Sequence, residues 1–424
     1  QSNLSEEQLA FAKHPDYYAG WVQSLEWEFK SPRQTQTSQI IRFETSNWHG
    51  AWHWAVDHGR LDLLRKMIPT LNWYFEVNGY YDEAISAFKT AVEHLRQSEA
   101  PVSLKTAEER SAFAFIADSY GWFEFRKGNV EIAVPLLQES LDIAREQDDP
   151  EVMYYIHGNW GYLCLFTGEI EEARRLTLES LRYGQMLQPW HQAIPKSVLG
   201  IVAYQQENFQ EAYKQLNDSL SLWRPVGDPR GLVFTMTYMG MTALGMKDYE
   251  AAKSILIESN QIAEANMDRW AHAVGLDLLG IASMSQGLHE EAIAYFKQSV
   301  ALYDEIGDQM NSAQVAIHIG QAYAAMRLDG EAKKLYLEAY SKAQTYKWPP
   351  VLLNALVSYT EMPNDLPYET KLAVALSVLA HPAVTPYLRG RSEAMRDDAK
   401  SNLSEEMTKV AEDLARDKSP ELWA

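Results

Sequence analysis

Apolar positions recur along this chain at steps of four and three, the spacing that places side chains on one stripe of an α-helix. In QGLHEEAIAYFKQSVALY, residues 286–303, Ala292 is followed by Phe296 and then Ser299, so a small, a large and a small side chain share one face. The trio recurs, led by Ala84, Ala133, Ala173, Ala212, Ala252, Ala292 and Ala332, at steps of 49, 40, 39, 40, 40 and 40. Phe88, Leu137, Thr177, Leu216, Leu256, Phe296 and Tyr336 take the second place, and Ala or Ser takes the third in every copy. From the second copy on, a glycine stands twelve residues before the alanine: Gly121, Gly161, Gly200, Gly240, Gly280 and Gly320. A glycine inside a helix costs about 1 kcal/mol relative to alanine, so six in register predict close helix contact. Each copy thus predicts two antiparallel helices, the first carrying the glycine and the second the trio. Polar breaks such as EQDDPE, VGDPRG and IGDQMN separate the copies, with Gly, Asp and Pro ending one helix and starting the next. The expected organisation is a helical cap or linker over 1–64, a repeat array over 65–345 and a helical cap over 346–424. Caps of this kind cover end repeats that would otherwise expose an apolar face.

Charge and composition narrow the function. With 38 basic and 58 acidic residues the formal charge is −20, which disfavours direct binding of a nucleic-acid backbone. Apolar content of 46% is ample for a folded core, and no apolar run approaches the roughly 20 residues that span a bilayer. Cys164 is the only cysteine, so no internal disulfide can form. These features predict a soluble, cytoplasmic chain with no membrane or direct nucleic-acid partner. The start at Gln1 suggests a processed chain or a piece of a longer one.

Leu199-Gly200 and Leu279-Gly280, the alanine twelve residues after each glycine, an aromatic or Leu four further on, and Ala or Ser three beyond resemble the tetratricopeptide repeat. That family's usual period is 34 residues; here it is about 40, which lengthens both helices. The resemblance implies an all-α, right-handed superhelical solenoid of about seven hairpins. The first copy departs from it, with Asn72 in the glycine position and Pro69 within the first helix, where a kink or a late start is expected. The flanks are similar to those of bacterial signal-transduction ATPases with numerous domains, of the transcription-regulator-like kind. Tyr17, Tyr18, Glu44, Asn47, Ala51, Trp54, Ala55 and Gly59 carry that similarity before the repeats, and His381, Pro382, Arg389 and Ala394 after them. It implies a sensor or scaffold arm, normally preceded by a nucleotide-binding switch domain of the same parent chain. The phosphate loop of such a domain, G-x-x-x-x-G-K-[ST], does not occur in these residues.

Residue types that could carry chemistry have simpler readings. His49, His53 and Asp57 follow at helical steps and could hold a metal, but the spacing fits an ordinary wet face equally. Cys164, three residues after Gly161, reads as a buried inert thiol. GNWGYLCLFTG does not have the G-x-G-x-x-G spacing, and acidic pairs such as Glu290-Glu291 suit helix starts. No catalytic set, metal or cofactor is therefore expected.

A binding surface is the more productive reading. In stacked hairpins of this kind the first helices line a concave groove, faced by residues six and three before each glycine and one, four and five after it. This gives Phe115, Asp118, Trp122, Phe125 and Arg126, then Tyr155, Gly158, Tyr162, Leu165 and Phe166, then Ile194, Ser197, Ile201, Tyr204 and Gln205. The candidate contact residues are Phe115, Asp118, Trp122, Arg126, Tyr155, Tyr162, Phe166 and Tyr204; the alternative is that longer helices bury these aromatics between copies. The expected function is a non-enzymatic sensor or adaptor arm that binds a protein, peptide or small-molecule ligand in the groove. A free-standing scaffold that assembles other proteins is the alternative.

Overall fold

In a computed structural model of the chain, residues 6–97, 106–363, 366–420 and 423 are described, and every regular element among them is a helix. Four helices precede the repeats: α1 (Glu6–Ser24), α2 (Glu26–Phe29), α3 (Gln34–Phe43) and α4 (Thr45–Asp57). The repeats then run as α5 (Leu61–Asn78) and α6 (Tyr81–Gln97), α7 (Ala107–Arg126) and α8 (Val130–Arg145), α9 (Pro150–Thr167) and α10 (Ile170–Gly184). A short 3-10 turn, Pro189–Gln192, leads into α11 (Ala193–Gln205) and α12 (Phe209–Val226), and α13 (Pro229–Gly245) completes a first compact unit, Gln1–Met246.

A second compact unit, Lys247–Ala424, holds α14 (Tyr249–Ala265), α15 (Arg269–Ser285), α16 (His289–Glu305), α17 (Gln309–Ala325) and α18 (Asp329–Tyr346). Closing helices follow as α19 (Pro349–Glu361), α20 (Tyr368–Ala380), α21 (Pro386–Ser401) and α22 (Glu405–Asp417). None of the described helices is long and apolar enough to cross a membrane.

The polar breaks act as read. Asp149, Asp228 and Asp308, one from each quoted break, cap α9, α13 and α17 by accepting backbone N–H groups of the first turn. Within the first unit α7 packs on α8, α9 on α10 and α11 on α12; in the second, α15 packs on α16 and α17 on α18. The glycines explain how closely. A Cβ added at Gly280 would lie 2.4 Å from Cε1 of Phe296, and one at Gly320 would lie 2.6 Å from Cε1 of Tyr336. Gly121, Gly161 and Gly200 meet Leu137, Thr177 and Leu216 in the same way, each glycine facing the large residue of its own copy. The first copy is the exception in sequence but not in extent. Its helix α5 starts at Leu61, ahead of Pro69, and continues through it, so the late start does not occur. Asn72, in the glycine position, donates to Ser119 Oγ at 2.9 Å.

Alanine at Gly280 would place its methyl against a fully buried ring, and overpacking of that kind costs about 2 kcal/mol despite the gain in helix propensity. Gly330 is also helical, but it is exposed and has nothing within 4 Å of an added Cβ. There alanine should stabilise by about 0.5 kcal/mol. Denaturant unfolding of the full chain with Gly280→Ala and Gly330→Ala should therefore give shifts of opposite sign; equal shifts would contradict the close-contact role of the glycine.

Candidate ligand-binding groove

Helices α7 and α9 lie side by side in the first unit, and their facing residues form a ladder. Phe115 stacks on Tyr155 with ring centroids 5.0 Å apart, and one turn on Asn159 donates to Asp118 Oδ2 at 2.8 Å. Trp122 meets Tyr162 at 5.9 Å, and Phe125 meets Phe166 at 5.5 Å. The residues chosen from the repeat spacing thus come together, but with unequal access. Phe115 and Asp118 are fully buried, so for these two the burial alternative holds. Trp122, Tyr155, Tyr162 and Tyr204 are half-buried, and Phe166 is 75% exposed.

At one end of the ladder Arg65 of α5 stands over the Phe115 ring, 5.0 Å from its centroid, and the segment after α2 packs on the turns that lead into α11 and α13. Lys30, just after α2, is 1% exposed; its Nζ lies 2.5 Å from Glu26 Oε1 and 3.7 Å from the Trp190 ring centroid. Gln34 donates to Phe29 O at 2.8 Å and to Asp228 Oδ1 at 3.3 Å, which fixes the start of α3 to the cap of α13. Gly227, at φ +74°, lets that turn approach closely: Pro32 Cδ lies 3.1 Å from where a Cβ would stand. Burial, then the nearby Glu26 and Glu151 carboxylates, hold the Tyr155 hydroxyl far above its ordinary pKa.

The other end is open. A cavity of about 230 Å³ is lined by Tyr162, Leu165 and Phe166 from α9, Ile201, Tyr204 and Gln205 from α11, and Tyr238 and Met241 from α13. Burial raises the pKa of Tyr162, Tyr204 and Tyr238, so all three present neutral phenols to an apolar wall. The cavity holds no charged side chain and no nucleophile with a base beside it. It is suited to burying a large apolar group, with phenolic hydroxyls available as hydrogen-bond partners.

Between the two ends sits an ion-pair cluster. Arg126, one of the candidate contact residues, already pairs with Glu76 of α5 through Nη1 and donates to Tyr81 Oη at 2.7 Å through Nη2. Arg230 Nη2 reaches the same Glu76 oxygen at 2.5 Å, and Trp122 Nε1 donates to the other at 3.2 Å.

Sequence spacing missed five of these residues, Met241, Tyr238, Glu76, Tyr81 and Arg230. Met241 lies one after Gly240 and follows from the groove rule applied to the fifth copy; Tyr238 is one position off that rule. Glu76 and Arg230 are 154 residues apart, and nothing in the repeat pattern pairs them. Elsewhere, His49 is paired with Glu83 at 2.8 Å, and no group of three metal-ligating side chains is assembled among the described residues. Cys164 is buried and its thiol is pushed up to about 11 by that burial, which keeps it protonated and inert.

The Tetratricopeptide repeat family profile matches residues 275–305. No curated protein matches the sequence. Among solved structures, a Rap protein complexed with Competence and Sporulation Factor is similar at TM-score 0.59 and 13% identity, over 85% of this chain and 99% of that one. The apo form of the quorum sensor NprR from B. thuringiensis is similar at TM-score 0.56 and 15% identity, over 80% of this chain and 98% of that one. A signal transduction ATPase with numerous domains carrying a tetratricopeptide repeat sensor, from Pyrococcus horikoshii, aligns at TM-score 0.49 and 15% identity, over 90% of this chain and 55% of that one. The chain is an all-α helical solenoid of the tetratricopeptide-repeat type.

Proposed function

We propose that this chain is the non-catalytic binding arm of a bacterial regulator, acting in the cytoplasm, and that it takes a short peptide on the concave face of its first unit. The observation that carries this reading is the cavity where Tyr162, Phe166 and Tyr204, three residues selected for groove exposure, meet Tyr238 and Met241. Its walls are apolar and its volume suits a side chain rather than a folded domain. A peptide would place one large apolar residue there and run its backbone along the aromatic ladder. The kind of protein that shares the fold is consistent with this use: one neighbour is complexed with Competence and Sporulation Factor, and another is a quorum sensor.

The test uses a pooled synthetic library of four- to eight-residue peptides, with retention on the immobilised full chain read by mass spectrometry. Tyr204→Ala and Phe166→Ala should each lower retention about tenfold or more, the effect of truncating a central anchor. Lys214→Ala, on the exposed face of α12, should leave it unchanged. If both aromatic variants stay folded by thermal melting and retain the library like the native chain, the groove is not the binding site.

A further inference from the structure

Glu76, Arg126, Arg230 and Trp122 make an arrangement that the apolar cavity does not require. Three donors, two guanidinium groups and an indole N–H, converge on one carboxylate that is 11% exposed. The donors come from different repeats: Trp122 and Arg126 from α7, Arg230 from the first turn of α13. Arg126 is further steadied by Tyr81, whose ring lies 5.1 Å from the guanidinium carbon. Planar guanidinium groups held in this way recognise carboxylates with strong, directional hydrogen bonds.

The cradle is continuous with the cavity. Arg230, Phe234 and Tyr238 follow at steps of four on α13, and so share one face of that helix. Tyr162 bridges the two sites: its ring is 5.9 Å from Trp122 of the cradle and 6.5 Å from Phe234, and it also lines the cavity. The eight residues from Arg230 to Tyr238 amount to about 12 Å of helix. An extended peptide covers that distance in about three to four residues.

We infer that the cradle of Arg126, Arg230 and Trp122 is a carboxylate subsite for the peptide bound in the cavity, and that Glu76 is a built-in competitor occupying it while the groove is empty. The inference rests on the proposed groove function and adds the ligand's chemistry: a large apolar side chain and a carboxylate, C-terminal or from Asp or Glu, about three to four residues apart. Binding exchanges one carboxylate for another, so the cradle's hydrogen bonds are conserved and Glu76 moves into water. An amide at the same place would accept from the donors but leave the charge of the two guanidinium groups unmatched, which makes the exchange selective for acids.

The experiment compares hexapeptide pools built without Asp or Glu, N-acetylated, with either a free C-terminal carboxylate or a C-terminal amide. A third pool is amidated and carries one Asp. The native chain should retain the two acidic pools about tenfold better than the amide pool. Glu76→Gln should raise retention of acids a further several-fold, and Arg230→Gln should abolish the preference while still retaining amides. Should Glu76→Gln unfold, the native chain against Arg230→Gln carries the test, and an acid preference equal in the two would overturn the subsite. Where Glu76→Gln folds, sodium acetate at constant ionic strength supplies a second reading. Acetate should raise the melting temperature of Glu76→Gln more than chloride does, with no such difference in the native chain, and equal effects of the two salts on the variant would overturn the subsite. Equal retention of acids and amides by the native chain and by Glu76→Gln would also remove the subsite, yet leave the groove reading intact if Tyr204→Ala still loses both pools. No retention of any pool by any form would sink both.

Discussion

Replacing Asp118 by Asn should stabilise the chain by an amount that grows with pH, from nearly constant below about pH 4 to several kcal/mol near pH 8. Asp118 is fully buried, Asn159 donates to one of its oxygens, and the other has no partner. Burial pushes its carboxyl up to about 8, from 3.8 for the unfolded chain, with only the Asn159 hydrogen bond opposing the shift. Between those values the folded chain holds a proton that the unfolded chain has released. Stability therefore falls as pH rises through the window, by up to about 1.4 kcal/mol per pH unit for one proton.

His191 works in the opposite sense. Its imidazole is pushed down to about 3, first by burial and then by the nearby Lys30 ammonium, so stability rises with pH between about 3 and 6.5. Where the windows overlap the two slopes offset, and the native chain alone would show a shallow profile up to about pH 6.5. The informative quantity is the difference between Asp118→Asn and the native chain in urea midpoints at pH 4, 6 and 8. A difference that does not change with pH would show that Asp118 is not held neutral in the folded state.

Asp118 also marks where reading the sequence stops. The helices were legible because most copies repeat the same requirement: a glycine to admit the large residue opposite it and, ahead of α9, α13, α15 and α17, an aspartate to cap the next helix. Local periodicity and local capping specify these elements, and the chain provides six registered glycines and a capping aspartate in each quoted break. The pairing of α7 with α9 side chains was legible for the same reason, since equivalent positions of successive first helices come to face one another. Their access to solvent was not. Whether Phe115 or Phe166 meets solvent depends on what packs over it from other helices: Arg65 of α5 stands over the Phe115 ring, while Phe166 is 75% exposed. Lys30 and Gln34 lie in a segment with no repeating pattern. Glu76 and Arg230 meet across 154 residues of the first unit, a pairing that single-residue spacing does not encode. A charged residue's role is the hardest to read in such a case, because Arg126 looks the same in the sequence whether its partner is a ligand or Glu76.

The segment after α2 leads to the second large effect. Truncating Lys30 to Ala should cost about 3 kcal/mol, most of it from the space its fully buried stem would leave empty. Burial lowers the Lys30 pKa, and the nearby Glu26, Glu151 and Asp228 carboxylates work against that shift. Its Nζ is in contact with Glu26 and stands over the Trp190 ring, and its stem fills space that alanine would leave empty. Lys30→Met separates these contributions. Methionine keeps most of the stem and forgoes the charge, while Glu26, whose side chain is 26% exposed, can recover hydration. Its expected cost is about 1 kcal/mol or less. Denaturant unfolding followed by tryptophan emission reports on both, since Trp190 and Trp73 flank the ammonium. If Lys30→Ala and Lys30→Met lose the same amount, the ion pair sets the stability of the segment and the packing of its stem contributes little. If Lys30→Ala costs under 1 kcal/mol, the segment is not anchored there.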